Sequence, residues 1–101
     1  MAHQRQKKYR LRVPDEIAGF VRELHPEIKR RVKAAFRRIL SEPDVGKSLR
    51  DELKGLKSFR ASSFRIIYRI SSRQVIEIIA IGPRKTIYEL TYCIVKKESN
   101  G

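Results

Sequence analysis

Phe64-Arg65-Ile66-Ile67-Tyr68-Arg69-Ile70, then Ser71-Ser72-Arg73-Gln74, then Val75-Ile76-Glu77-Ile78-Ile79-Ala80-Ile81, reads as a β-hairpin and sets the fold around it. In the first run Phe64, Ile66, Tyr68 and Ile70 fall on one side of a strand, with Arg65, Ile67 and Arg69 on the other. The second run is apolar on both alternating sets apart from Glu77, the pattern of a central strand covered on both faces. Gly82-Pro83 stops it. Upstream, Phe59 to Ala61 forms a short strand joined to the hairpin through Ser62-Ser63. Before it comes a connector whose Leu49, Leu53 and Leu56 tuck under the sheet.

Further outward the period changes from two to that of a helix. Pro26 opens a helix with Glu27 in its first turn and His25 as its cap, and Ile28, Val32, Ala35, Phe36, Ile39 and Leu40 make its apolar stripe. Ile17, Phe20, Val21 and Leu24 mark a shorter helix before it, begun at Pro14 with Asp15 and Glu16 opposing the positive end of the dipole. Tyr9, Leu11 and Val13 alternate with Arg10 and Arg12 as a half-buried strand. Ser41 to Ser48, with Pro43, Asp44 and Gly46, is a loop. Beyond the last strand, Ile87, Leu90, Thr91 and Ile94 share a helical face, although Tyr92 to Val95 also suits a strand. The fold class is α+β: an N-terminal strand, an αα-hairpin, a mostly antiparallel sheet of three further strands and a short C-terminal element. A chain of this length makes one domain, residues 1–101, with loosely ordered tails at 1–7 and 96–101.

Twenty-four Lys and Arg against 11 Asp and Glu leave a formal charge of +13. Such a field draws in polyanions and gives phosphate affinity that weakens with salt. Cys93 stands alone and reads as a small buried apolar residue, and two histidines make no metal site, so neither a disulfide framework nor a metal or cofactor is expected. No apolar run reaches membrane-spanning length and the basic N-terminus lacks an apolar core, so neither a membrane span nor a signal peptide is expected, and the single cysteine leads us to expect a reduced, cytoplasmic setting. Glycine-rich phosphate loops, Ser-His-Asp patterns and paired acids are not found.

The remaining candidates are cations on rigid elements. Burying a guanidinium in a small sheet is costly, so strand arginines face solvent and aim at an anion. Arg65 and Arg60, at facing strand ends, can clamp one phosphate, whereas Arg69 is expected to pair with Glu77 across the hairpin. Lys54 and Lys57 enlarge the field. Arg84 projects from the Gly82-Pro83 corner, and Tyr88, one turn on, is a phenol near cations that can exchange protons at a phosphate or simply pack. Tyr68 belongs inside. The cations of the second helix, Lys29, Arg30, Arg31, Lys33, Arg37 and Arg38, are a solvated face singly and an auxiliary RNA contact collectively.

Leu53-Lys54-Gly55, Phe64 to Ile70 and Ile81-Gly82-Pro83-Arg84-Lys85-Thr86-Ile87-Tyr88, in this order, resemble the RelE/ParE superfamily of bacterial and archaeal toxins over residues 8 to 92. The resemblance implies a toxin neutralised by a co-expressed antitoxin. In the RelE branch, it further implies entry into the ribosomal A site and metal-independent cutting of mRNA. That branch uses an arginine in the middle strand, another after the last strand and a nearby tyrosine, positions held here by Arg65, Arg84 and Tyr88; Arg60 matches a basic position on the preceding strand. Ser62-Ser63 stands where many members have a glycine-aspartate turn, and Ser58 where a second basic residue is common, with Lys57 adjacent. Lys54, Lys57 and Arg60 are then the RNA-binding set. Two rivals stand beside this reading: a ParE-like toxin that inhibits DNA gyrase without nuclease activity, and an inactive basic module that binds nucleic acid.

Overall fold

The structure is a computed structural model that describes residues 8–100; the tail expected at residues 1–7 lies outside them. Strand β1 (Arg10–Arg12) leads into α1 (Asp15–Arg22) and α2 (Pro26–Ser41). Next come β2 (Lys47–Ser48), β3 (Lys57–Ala61), β4 (Phe64–Ser71), β5 (Val75–Pro83) and α3 (Arg84–Asn100). The five strands form one sheet in the order β1-β5-β4-β3-β2. β1 runs parallel to β5 and every other pair is antiparallel. The α+β architecture is as the sequence reading has it, with two revisions. The expected loop at Lys47-Ser48 forms an additional two-residue edge strand on β3. The C-terminal element is a helix of 17 residues that continues through residues 96–100, not a short one.

Both helix starts follow from their first residues. α1 opens after Pro14 with Asp15 and Glu16 in its first turn. α2 opens on Pro26, and the ring Nδ1 of His25 accepts a hydrogen bond from the Glu27 backbone N–H at 3.1 Å. Eight residues are too few for a helix to stand alone, so α1 is held by packing. Val21, Val32, Ala35 and Ile39 bury onto Ile66, Tyr68, Ile76, Ile78 and Ile81 of the sheet. Each fully buried aliphatic side chain there stabilises by about 1.5–3 kcal/mol.

The opposite face carries a second, smaller core: Leu56, Ile67, Ala80 and Ile87, with Leu49, Leu53, Ile79, Tyr88, Ile94 and Val95 against it. β5 serves both cores through a bulge. Ile67 pairs with Ala80 but Tyr68 pairs with Ile78, which leaves Ile79 unopposed. Alternation therefore slips by one, so Ile78 and Ile81 join the helical core while Ile79 and Ala80 face α3. That second core also decides the form of the C-terminal element. Ile87, Thr91, Ile94 and Val95 recur at helical spacing toward the sheet, and the Thr91 hydroxyl is satisfied by the Ile87 carbonyl at 2.7 Å. Among the described residues no helix is long and apolar enough to cross a membrane.

Tyr68 is fully buried; its hydroxyl donates to the Pro43 carbonyl at 2.7 Å and accepts from the Gly46 N–H at 2.9 Å. Burial holds its phenol above the ordinary range, with the Gly46 hydrogen bond opposing. A Cβ added at Gly46 would stand 2.6 Å from this hydroxyl. Gly46→Ala should therefore cost about 1–3 kcal/mol, as overpacking against a pinned ring does, and Tyr68→Phe in the same chain should recover part of that loss. Urea melts of the single and double variants check it, and a Gly46→Ala protein as stable as the parent would show that the loop moves freely.

Candidate active site

The register of β3, β4 and β5 assembles the site. Arg60 stands directly opposite Arg65, and Arg65 directly opposite Gly82. Cross-strand partners share a face, with Cβ atoms about 5 Å apart, so both guanidiniums project from the face that α3 partly covers. Like charges placed directly opposite are unfavourable unless an anion joins them. Among the described residues neither arginine has a carboxylate partner. Gly82 adds no side chain beside Arg65, and a Cβ there would meet Ile87 Cδ1 at 3.4 Å.

One residue past Pro83 the chain turns into α3, so Arg84 stands exposed at that helix's positive end. Tyr88 follows four residues later on the same helical face. Its hydroxyl lies 3.2 Å from the Ser58 hydroxyl, and either group can donate. Ser58 is only 3% exposed and sits two residues before Arg60, on the same face of β3. This contact ties the first turns of α3 to β3. Arg60, Arg65, Arg84 and Tyr88 are thereby gathered at one corner of the sheet.

Lys54 is exposed on the connector whose Leu53 and Leu56 belong to the second core, which keeps it on the site's side of the sheet. Lys57 is not brought there. It pairs with Tyr68 in the β3–β4 register, on the opposite face, where its ammonium donates to the Ser48 hydroxyl at 3.1 Å and lies 3.7 Å from Asp44. Cys93 is exposed rather than buried, because at about 100° per residue it falls on the side of α3 away from the Ile87, Thr91, Ile94 and Val95 stripe that meets the sheet. Ser58, a position where the sequence alone points only to a missing cation, is the partner of the Tyr88 hydroxyl. Its signal was strand parity with Arg60, visible once β3 is taken back to Lys57.

Arg69 shares Arg65's face but is fully engaged. It donates to Glu77 at 2.6 Å and to Glu98 of α3 at 3.4 Å, while Arg12 of β1 reaches Glu77 at 3.0 Å. The hydrogen bond from Arg69 holds the Glu77 carboxyl below the ordinary carboxylate range against the opposing pull of burial, with Arg12 assisting. Glu77 and Glu98 push Arg69 the other way, further above its ordinary range. The sign of the linkage follows: with a folded pKa below the unfolded one, Glu77 contributes its full stability above the unfolded value and loses it as pH falls through the folded value. Glu77→Gln should melt lower than the parent at neutral pH, and the gap should close in acid. Thermal melts across an acid series check this, and a constant gap would refute it.

Residues 3–88 match the family described as the ParE toxin of type II toxin–antitoxin systems, parDE. The chain is 36% identical over 64 residues to Toxin RelE of Mycobacterium tuberculosis, a stretch covering 61% of this chain and 66% of the relative, just under two thirds of its length. Among solved structures it resembles the toxin–antitoxin complex RelBE2 of M. tuberculosis, with TM-score 0.66 and 32% identity over 77% of this chain and all of the matched one. A double mutant of the E. coli toxin RelE in the free state gives TM-score 0.71 at 18% identity, covering 91% of this chain and 98% of the other. At that identity the likeness speaks for the fold alone.

Proposed function

We propose, from the premise that this chain belongs to the ParE toxin family of type II toxin–antitoxin systems and to its RelE-like branch, that it is a ribosome-dependent endoribonuclease cutting mRNA in the cytoplasm. The observation that carries the reading is the facing of Arg60 and Arg65 across β3 and β4, beside the Gly82 end of β5 from which Arg84 and Tyr88 follow, with no carboxylate paired to these arginines among the described residues. In the reaction, the RNA 2′-oxygen attacks the adjacent phosphorus in line, the P–O5′ bond breaks, and a 2′,3′-cyclic phosphate and a 5′-hydroxyl result. Arg65 and Arg84 stabilise the charge that builds on the phosphoryl oxygens. Tyr88 orients the 2′-hydroxyl or relays its proton to solvent, and the leaving 5′-oxygen takes a proton from the Lys54 ammonium, since the guanidiniums cannot give one up.

Arg60 and Lys54 hold the substrate strand. Lys57, committed to Asp44 and Ser48 on the other face, is left out of the set. With no histidine or carboxylate among these groups, much of the rate must come from holding RNA in an attack-ready bend, a task for the ribosome. The partner that silences the protein is a co-expressed antitoxin; the relatives of known structure include RelBE2 of M. tuberculosis, a toxin–antitoxin complex.

Incubation with translating ribosomes, followed by mapping of message ends, tests the activity. Cuts that appear only with ribosomes are expected. Because the matching family is that of ParE toxins, a gyrase-directed reading is the alternative: intact messages together with inhibited supercoiling would select it.

A further inference from the structure

The outward face of α2 carries charge that the site above does not use. From Ile28 to Ser41 the helix contains no acid. Val32, Ala35 and Ile39 are buried against the sheet, so the exposed Arg30, Arg31, Lys33, Arg37 and Arg38 point away from it, on the side opposite Arg60, Arg65 and Arg84. Only Arg38 is paired among the described residues, with Glu42. At 3.6 residues per turn, Arg30, Lys33 and Arg37 lie within about 60° of arc, and Arg31 and Arg38 make a second row roughly a third of a turn away. Each row is about 10 Å long at the helical rise. Between them lies the exposed, small Ala34, which lets the helix backbone come close to whatever the rows grip.

The chemistry of the face selects its partner. Protein interfaces of useful affinity rest on buried aromatic or aliphatic anchors, and this face has none. Single-stranded nucleic acid is held on aromatic stacking platforms, which are also missing from it. What remains is charge alone, four of the five cations being guanidiniums whose planar fork matches phosphate oxygens. We infer that the outer face of α2 is a second nucleic-acid surface, gripping the phosphate backbone of base-paired RNA while the opposite side of the sheet holds the strand to be cut. The choice of RNA as the polyanion rests on the function proposed above; the grip on a duplex backbone rests on α2.

The test measures binding of a short RNA duplex by anisotropy across a salt series, for the parent and two charge-matched triple variants. Arg30→Gln/Lys33→Gln/Arg37→Gln should lower the slope of log affinity against log salt by about two to three, and weaken binding at low salt about ten-fold or more. Arg10→Gln/Arg73→Gln/Lys97→Gln removes the same charge from exposed positions elsewhere and should leave the slope within about one of the parent. Equal slopes for parent and α2 variant, or equal losses in the two variants, would overturn the inference. All positions are exposed, and circular dichroism confirms that each variant is folded. Message cutting on ribosomes is assayed in parallel. A parent that binds duplex through α2 but cuts nothing would refute the proposed function alone, whereas cutting without α2-dependent binding would refute this inference alone.

Discussion

Replacing Arg65 or Arg84 by alanine should lower the proposed message cutting on translating ribosomes by about two to three orders of magnitude, the usual loss when one donor to a developing oxyanion is removed. The melting temperature should stay where it was. Neither side chain has an acidic partner to lose among the described residues, and removing Arg65 relieves its repulsion by Arg60 across the β3–β4 ladder. Arg69→Ala should behave in the opposite way. It strips Glu77 and Glu98 of their shared cation, so the protein loses stability while cutting by the folded fraction persists. Single-turnover rates measured beside thermal melts separate the two patterns. An active Arg65→Ala protein together with an inactive but stable Arg69→Ala protein would place the phosphate elsewhere on the sheet.

Tyr88→Phe should lose about two to four orders of magnitude in cutting if the phenol moves the 2′-proton, with ribosome binding unchanged. Its effect on stability is not zero, because the Ser58 hydroxyl, almost wholly shielded from solvent, loses its partner. An orphaned buried hydroxyl costs about 1–3 kcal/mol, whereas removing both members of a pair can be nearly neutral. Ser58→Ala/Tyr88→Phe should therefore regain most of the lost stability and none of the activity. That combination separates packing from chemistry more cleanly than either single change. A double variant that cuts messages as fast as the parent would end the catalytic role of Tyr88 and send the proton transfer to Lys54.

The hairpin, its facing and the pairing of Arg69 with Glu77 were legible in the sequence because alternation in β4 is strict and Glu77 is the one acid in β5. Arg60 and Arg65 were legible as a pair because only the Ala61-to-Phe64 turn separates their strands. Three features were not. The bulge at Ile79 leaves no mark in a run that is apolar at every position around it, so the slip that lets β5 serve two cores shows only in the ladder. A strand started at Phe59 gives Lys57 no side, and one residue of parity sends it to the far face, away from the arginines it was grouped with. Ser58 looked like a missing cation; its role appears only when a helix thirty residues later brings a phenol to it.

The parallel pairing of β1 with β5 joins residues 10–12 to residues 75–77, and this sets a clock on biosynthesis. A nascent chain that has emerged as far as β4 still lacks the strand on which its first strand docks, and Arg65 stands without Arg84 or Tyr88. Such long-range closure is slow compared with local helix formation. On the proposed activity, a half-made copy is therefore harmless to the ribosome making it. Toxicity begins only after the late segment is out and the sheet has closed, an interval in which a waiting antitoxin can engage the newborn protein first.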